Sequence, residues 1–165
     1  MSTIAKRLVP AAAAAAVGLW TFDESLGLRQ WKRVAHTVNS PTLSSPMKLQ
    51  LDAITRPPPI GCIDWPAGRV LLQWAIDNLP EGSTTLEIGA GIGTTAIGLA
   101  LAGRKVFATD IDEDALDLLR ENADLNGLMS LSVSRWDATG GAPAVASLPV
   151  KASTLTHVIG SDLVY

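Results

Sequence analysis

The sequence predicts an α/β fold built on a doubly wound, mostly parallel sheet. Three observations lead there. Short apolar runs alternate with helix-like segments from residue 84 onward, glycines 89, 91 and 93 separate the first such run from a helix, and Asp110 ends the next run. Strands that alternate with helices imply parallel neighbours, because a parallel pair needs a crossover connection.

Residues 1–45 read as a variable extension, and residues 46–165 as the folded domain. Lys6 and Arg7 precede an alanine-dominated apolar run over 8–20. That run is too short to cross a bilayer comfortably as a helix. It reads as a poorly ordered extension, with organelle targeting as the alternative. Residues 47–54 alternate apolar and polar, as a half-buried strand does, until prolines 57–59 stop the pattern. Over 67–79, Val70, Leu71, Trp74, Ala75 and Ile76 recur at helical spacing. Thr84–Ile88 is then strand one, and 94–102 is an apolar helix ended by Gly103. Residues 105–109 are strand two. Asp112 caps a helix reaching 126, with Glu113 and Asp114 where the helix dipole favours anions. Residues 131–135 are strand three and 155–160 strand four, and the Gly-, Ala- and Pro-rich stretch 139–153 between them is hard to assign. Right-handed crossovers put strands two and three on one side of strand one and strand four on the other. A crevice opens at that switch point.

The chain has 165 residues, 47% hydrophobic and 18% charged, which fits one folded domain and excludes a disordered chain. A formal net charge of −3 offers no basic excess for phosphates, so no nucleic-acid partner is expected. No membrane partner is expected either. Cys62 is the only cysteine, so no intrachain disulfide or cysteine-cluster zinc site can form. This fits a reducing compartment and favours the cytoplasm. His36 reads as an exposed loop residue and His157 as a strand residue, neither at metal-ligand spacing, so no metal site is expected.

The chemistry is concentrated in Leu86-Glu87-Ile88-Gly89-Ala90-Gly91-Ile92-Gly93. Glycines there allow a sharp strand-to-helix turn and a close ligand approach to the backbone, and the next helix offers N–H groups without partners. A dinucleotide loop is one reading, since Gly91-Ile92-Gly93-Thr94-Thr95-Ala96 fits its looser form. Two details favour S-adenosylmethionine (SAM) instead. Glu87 stands two residues before the first glycine, where an acid repels a pyrophosphate but suits the cationic amino group and sulfonium of SAM. The glycines also run G-x-G-x-G, one step earlier than the dinucleotide pattern. Asp110 can accept two hydrogen bonds from a ribose diol.

The glycine loop, Thr109-Asp110 and the run Asn122-Ala123-Asp124-Leu125-Asn126 together resemble class I, seven-β-strand methyltransferases, whose sheet is Rossmann-like. Ile63-Asp64-Trp65-Pro66-Ala67 resembles the V/L-W-x-A motif of methyltransferase family 16, the non-SET protein-lysine methyltransferases. Arg135-Trp136-Asp137 and Ser161-Asp162-Leu163-Val164-Tyr165 resemble that branch's tryptophan after strand three and its D-x-x-Y motif. The resemblance implies that Glu87, Gly89, Gly91 and Gly93 cradle the methionine part of SAM and that Asp110 binds the ribose. Trp136 and Asp137 would lie beside the adenine, although relatives commonly carry glycine at the position of Asp137. Trp65 would pack near the cofactor, with a core aromatic as the alternative for Trp65 and Trp136 alike, and Asp162 and Tyr165 would face the substrate lysine. For Asn122 and Asn126, one helical turn apart, hydrogen bonding to backbone competes with ligand contact.

The implied reaction is direct methyl transfer from SAM to a neutral lysine ε-amine of a protein substrate. Family members continue with another helix and three more strands, so the chain reads as truncated after strand four, and weak SAM binding and poor methylation are expected of it alone. The competing readings are a class I methyltransferase for a small molecule or nucleic acid, a non-catalytic SAM-binding module, and an NAD(P)-dependent oxidoreductase.

Overall fold

The computed structural model describes residues 19–20, 30–56 and 60–163. Two sheets organise these residues. The first is antiparallel and contains β1 (Leu19–Trp20), β2 (Gln30–Val38) and β3 (Met47–Arg56) in that order. The second is parallel and contains β4 (Thr84–Ile88), β5 (Lys105–Asp110), β6 (Ser132–Arg135) and β7 (His157–Gly160), ordered β6-β5-β4-β7. This is the expected order, with strand four across strand one from strands two and three. The reason is geometric: two right-handed crossovers move the chain one way, and the third returns it past its start.

The helices are α1 (Pro66–Asn78), α2 (Thr94–Leu101), α3 (Glu113–Leu125) and the short α4 (Gly141–Ala146). Pro66 starts α1 at a position where its missing N–H costs nothing. Arg104 closes the other end: Nη2 donates to the carbonyls of Ile76 and Leu79 at 3.2 and 3.1 Å, satisfying groups that the helix end leaves free. α1 lies against α2 at Gly98, where a Cβ would stand 2.5 Å from both Leu72 methyl carbons. Asp112 caps α3 by accepting from Asp114 N at 3.0 Å, as the sequence predicts. The core joins Leu72 and Ile76 of α1, Ile97 and Leu99 of α2, Leu118 and Leu119 of α3, and Leu49 and Leu51 of β3.

Three expectations need correction. First, residues 30–45 are not an extension. β2 pairs with β3 from Arg56 back to Met47, and Arg33 forms a bidentate pair with Asp52 at 2.9 and 3.0 Å. Lys32, Arg33 and His36 broke the apolar alternation that would have revealed the strand. The stretches 1–18 and 21–29, with the alanine-rich run, lie outside the described residues except at β1. Second, His36 belongs to β2 and its side chain is only 12% exposed. Third, Val70 and Trp74 are 70% and 50% exposed, because α1 faces the core with Leu72, Ala75 and Ile76, half a turn round. The stretch 139–153, hard to assign from sequence, holds α4, flanked by 3-10 turns at Ala138–Gly140 and Ala152–Thr154.

Asn122 and Asn126 bond to backbone, as one of their two readings held. Asn122 accepts from Asp52 N at 2.7 Å and donates to Asp52 O at 3.0 Å, and Asn126 makes the same pair of bonds to Gln50. A carboxamide carries the donor and acceptor of a peptide group. One turn of α3 therefore acts as a substitute strand along the free edge of β3. No helix among the described residues is long and apolar enough to cross a membrane.

Candidate functional site

The carboxyl ends of β4 and β5 lie side by side, Ile88 in register with Thr109. The turn after β4 requires its glycines: Gly89, Gly91 and Gly93 have φ of 65, 52 and 91°, in the left-handed region that other residues enter at a cost. Gly93 is also crowded, since a Cβ there would lie 2.7 Å from Leu119 and 2.9 Å from Ile97. β5 holds the turn in shape. Ala90 N donates to Thr109 O at 2.9 Å, and Gly91 N donates to Asp110 Oδ2 at 2.8 Å. Asp110 Oδ1 accepts from Asp112 N at 3.0 Å. Each Asp110 oxygen thus keeps a lone pair for a ligand.

Glu87 is 3% exposed at the base of this turn. Burial pushes its carboxyl up to about 8, against the Thr95 hydroxyl and Ala96 N–H, which favour the charged form, while the nearby Asp110 charge raises it further. Among the described residues, Glu87 Oε2 has no hydrogen-bond partner. A buried acid with an unused oxygen, beside glycines that keep the backbone open, suits a cation that would draw off its proton.

Residues 60–65 form a wall on the α3 side. Gly61 packs against Ala115, its carbonyl oxygen would lie 3.1 Å from a Cβ on Gly91, and Trp65 Nε1 donates to Ile60 O at 3.1 Å. Trp65 is 43% exposed, which sets aside its reading as a core aromatic. Beyond β6, Trp136 N donates to Asp110 O at 3.0 Å, so this residue stands next to the ribose candidate, while its indole N–H is taken by Ala144 O at 2.9 Å in α4. Asp137 is turned to another use: it accepts from Thr139 N and Oγ1, capping the following 3-10 turn, and these bonds hold its carboxyl below the usual value. After β7, Asp162 has φ 52°, a conformation that aspartate tolerates better than most residues. Leu163 then folds back over the loop, so that Cβ atoms on Gly89 and Gly160 would lie 2.5 and 2.7 Å from its methyls. Tyr165 lies outside the described residues.

Comparison with known proteins decides the family. A family model described as lysine methyltransferase matches residues 44–165. The chain belongs to the lysine methyltransferase family. The electron transfer flavoprotein beta subunit lysine methyltransferase homolog of Caenorhabditis elegans is 36% identical over 91 residues, covering 53% of this chain and 37% of that protein. The corresponding Mus musculus methyltransferase is 38% identical over 73 residues, covering 42% of this chain and 29% of its own length. The matched stretches therefore span about a third of these relatives. Among solved structures, the C-terminal domain of precorrin-6Y C5,15-methyltransferase from Rhodobacter capsulatus aligns with a TM-score of 0.42 at 23% identity, over 52% of this chain and 44% of that one; a likeness at that level carries no weight here.

The glycine loop, Glu87, Asp110, Trp65 and the 161–163 segment lie inside the span matched by the family, whereas β2 lies outside it. Leu163 belongs to the 161–165 motif, while Ile111 was not singled out from the sequence. Ile111 is 50% exposed directly after Asp110, where an apolar side chain at a strand end was the available clue.

Proposed function

We propose that the chain binds SAM above β4 and β5, in the service of methyl transfer to a protein lysine ε-amine. The observation that carries this reading is the buried Glu87 carboxyl, with its unpartnered Oε2 set beneath three left-handed glycines. SAM would supply a methyl group on a cationic sulfonium. Glu87 would receive the α-ammonium of the methionine part, and the glycines would let it approach the backbone. Asp110 would take the ribose hydroxyls with its remaining lone pairs, Ile111 would offer an apolar face to the adenine, and Trp136 and Asp137 would border it. Trp65 closes the wall beside the cofactor. Asp162 and Tyr165 would orient the incoming amine and help it shed its proton before attack.

The lysine substrate rests on the family and on the printed names of the relatives, which act on an electron transfer flavoprotein subunit. A dinucleotide fits the site poorly, because Glu87 would face its pyrophosphate with no positive charge to offer; Asp110 could hold a ribose in either reading. Calorimetric titration with SAM, its demethylated product and NAD separates these readings. Saturable heat with the SAM pair and none with NAD is expected, and the reverse pattern would remove the proposal.

A further inference from the structure

The wall 60–65 is fastened at its second end by a residue from the antiparallel sheet. His36 Nε2 lies 3.3 Å from Oδ1 and 3.2 Å from Oδ2 of Asp64, with the two side chains 12% and 13% exposed. Facing a carboxylate, which only accepts, Nε2 carries the hydrogen. Thr94 Oγ1 reaches the same Asp64 oxygen at 3.5 Å, at the long limit of a hydrogen bond. Thr94 is the first residue of α2, directly after Gly93, and Asp64 directly precedes Trp65. One carboxylate thus joins β2, the wall and the first turn after the glycine loop.

We propose that His36 is a positioning residue for the cofactor site: it holds Asp64, and with it the wall 60–65, against the first turn of α2. It touches no cofactor atom and acts through Asp64. His36 lies outside the residues matched by the family model, so the hairpin contributes to the site from beyond the shared unit. Without the imidazole donor, the long Thr94 contact is what Asp64 keeps, among the described residues, to hold the wall to α2. The Trp65–Ile60 bond ties the wall's two ends to each other, so the expected result is a wall 60–65 that lifts as a unit and uncovers Cys62.

Cys62 reports on that motion. It is the sequence's only cysteine, it sits in the wall, and its exposure is 0%, so an alkylating reagent reaches it only when the wall opens. The inference rests on the SAM reading, and the test separates the two. Iodoacetamide labelling rates and SAM affinity are measured on the full chain as wild type, His36→Ala, His36→Gln and Asp64→Asn, each with a urea melt. His36→Ala is expected to label Cys62 roughly tenfold faster and bind SAM roughly tenfold more weakly, the scale of losing a hydrogen bond to a charged group. Asp64→Asn should move both readouts in the same direction. His36→Gln places an amide N–H where Nε2 stood and should restore both to within about twofold. Bound SAM should slow labelling of the wild type. Wild-type labelling and affinity in His36→Ala would overturn the proposal while leaving the SAM reading intact. Failure of His36→Gln to rescue, or labelling that rises only in step with a lowered urea midpoint, would do the same. A wild-type chain that binds no SAM overturns both.

Discussion

Glu87 is held beneath the glycine loop at 3% exposure, and its carboxyl titrates near 8 rather than at the usual 4.5. The folded state therefore binds a proton that the unfolded state releases. The stability this contributes is fully present below about pH 4.5 and is lost as pH rises through 8. Urea melts between pH 5 and 8 should show wild-type stability falling relative to Glu87→Gln, by an amount on the order of a few kcal/mol across the window. A difference that stays flat with pH would contradict the burial argument. Glu87→Gln should also weaken SAM binding by at least about tenfold, since a neutral amide offers a cation no charge. The position of this acid before the glycines was readable from sequence, and so was Asp110. The capping duty of Asp137 was not, because Thr139 two residues on competes for the carboxyl in a way that motif matching does not register.

The elements hold together through contacts that periodicity only partly reveals. Asn122 is 1% exposed and makes three hydrogen bonds, two to Asp52 and one to Ile92 O at 3.0 Å. Asn122→Ala should cost about 2–4 kcal/mol in a urea melt, because it strands buried backbone groups on β3. Asn126→Ala, at a more exposed position, should cost about 1 kcal/mol. Equal losses at both sites would argue against the substitute-strand account. Gly98→Ala should destabilise by about 1–3 kcal/mol through the Leu72 clash, and pairing it with Leu72→Ala should recover less than additive loss. Strand and helix limits from β4 to α3 were legible within a residue or two, since each is bounded by Gly, Pro or a capping Asp. The inner face of α1 was misread because Val70 and Trp74 are apolar yet point outward, and spacing alone does not say which stripe meets the core.

The strand order β6-β5-β4-β7 is the one expected from right-handed crossovers with a reversal after the third strand, and that reversal was the signal for a crevice at the switch point. The antiparallel sheet gave no such signal. Its β2 strand mixes charge into the alternation, and its partner is chosen by long-range pairing that a local pattern does not encode. That sheet supplies the His36 contact to the wall and buries Leu49 and Leu51 against the helices, so it belongs to the site's scaffold. On the proposed SAM reading, Glu87 waits in its protonated form for a cationic cofactor and ionises when that cofactor arrives. Calorimetric titration of SAM near pH 7, repeated in buffers of different ionisation enthalpy, counts protons exchanged on binding. The account predicts release of about one proton by the wild type and none by Glu87→Gln. Binding heats independent of buffer in the wild type would contradict it.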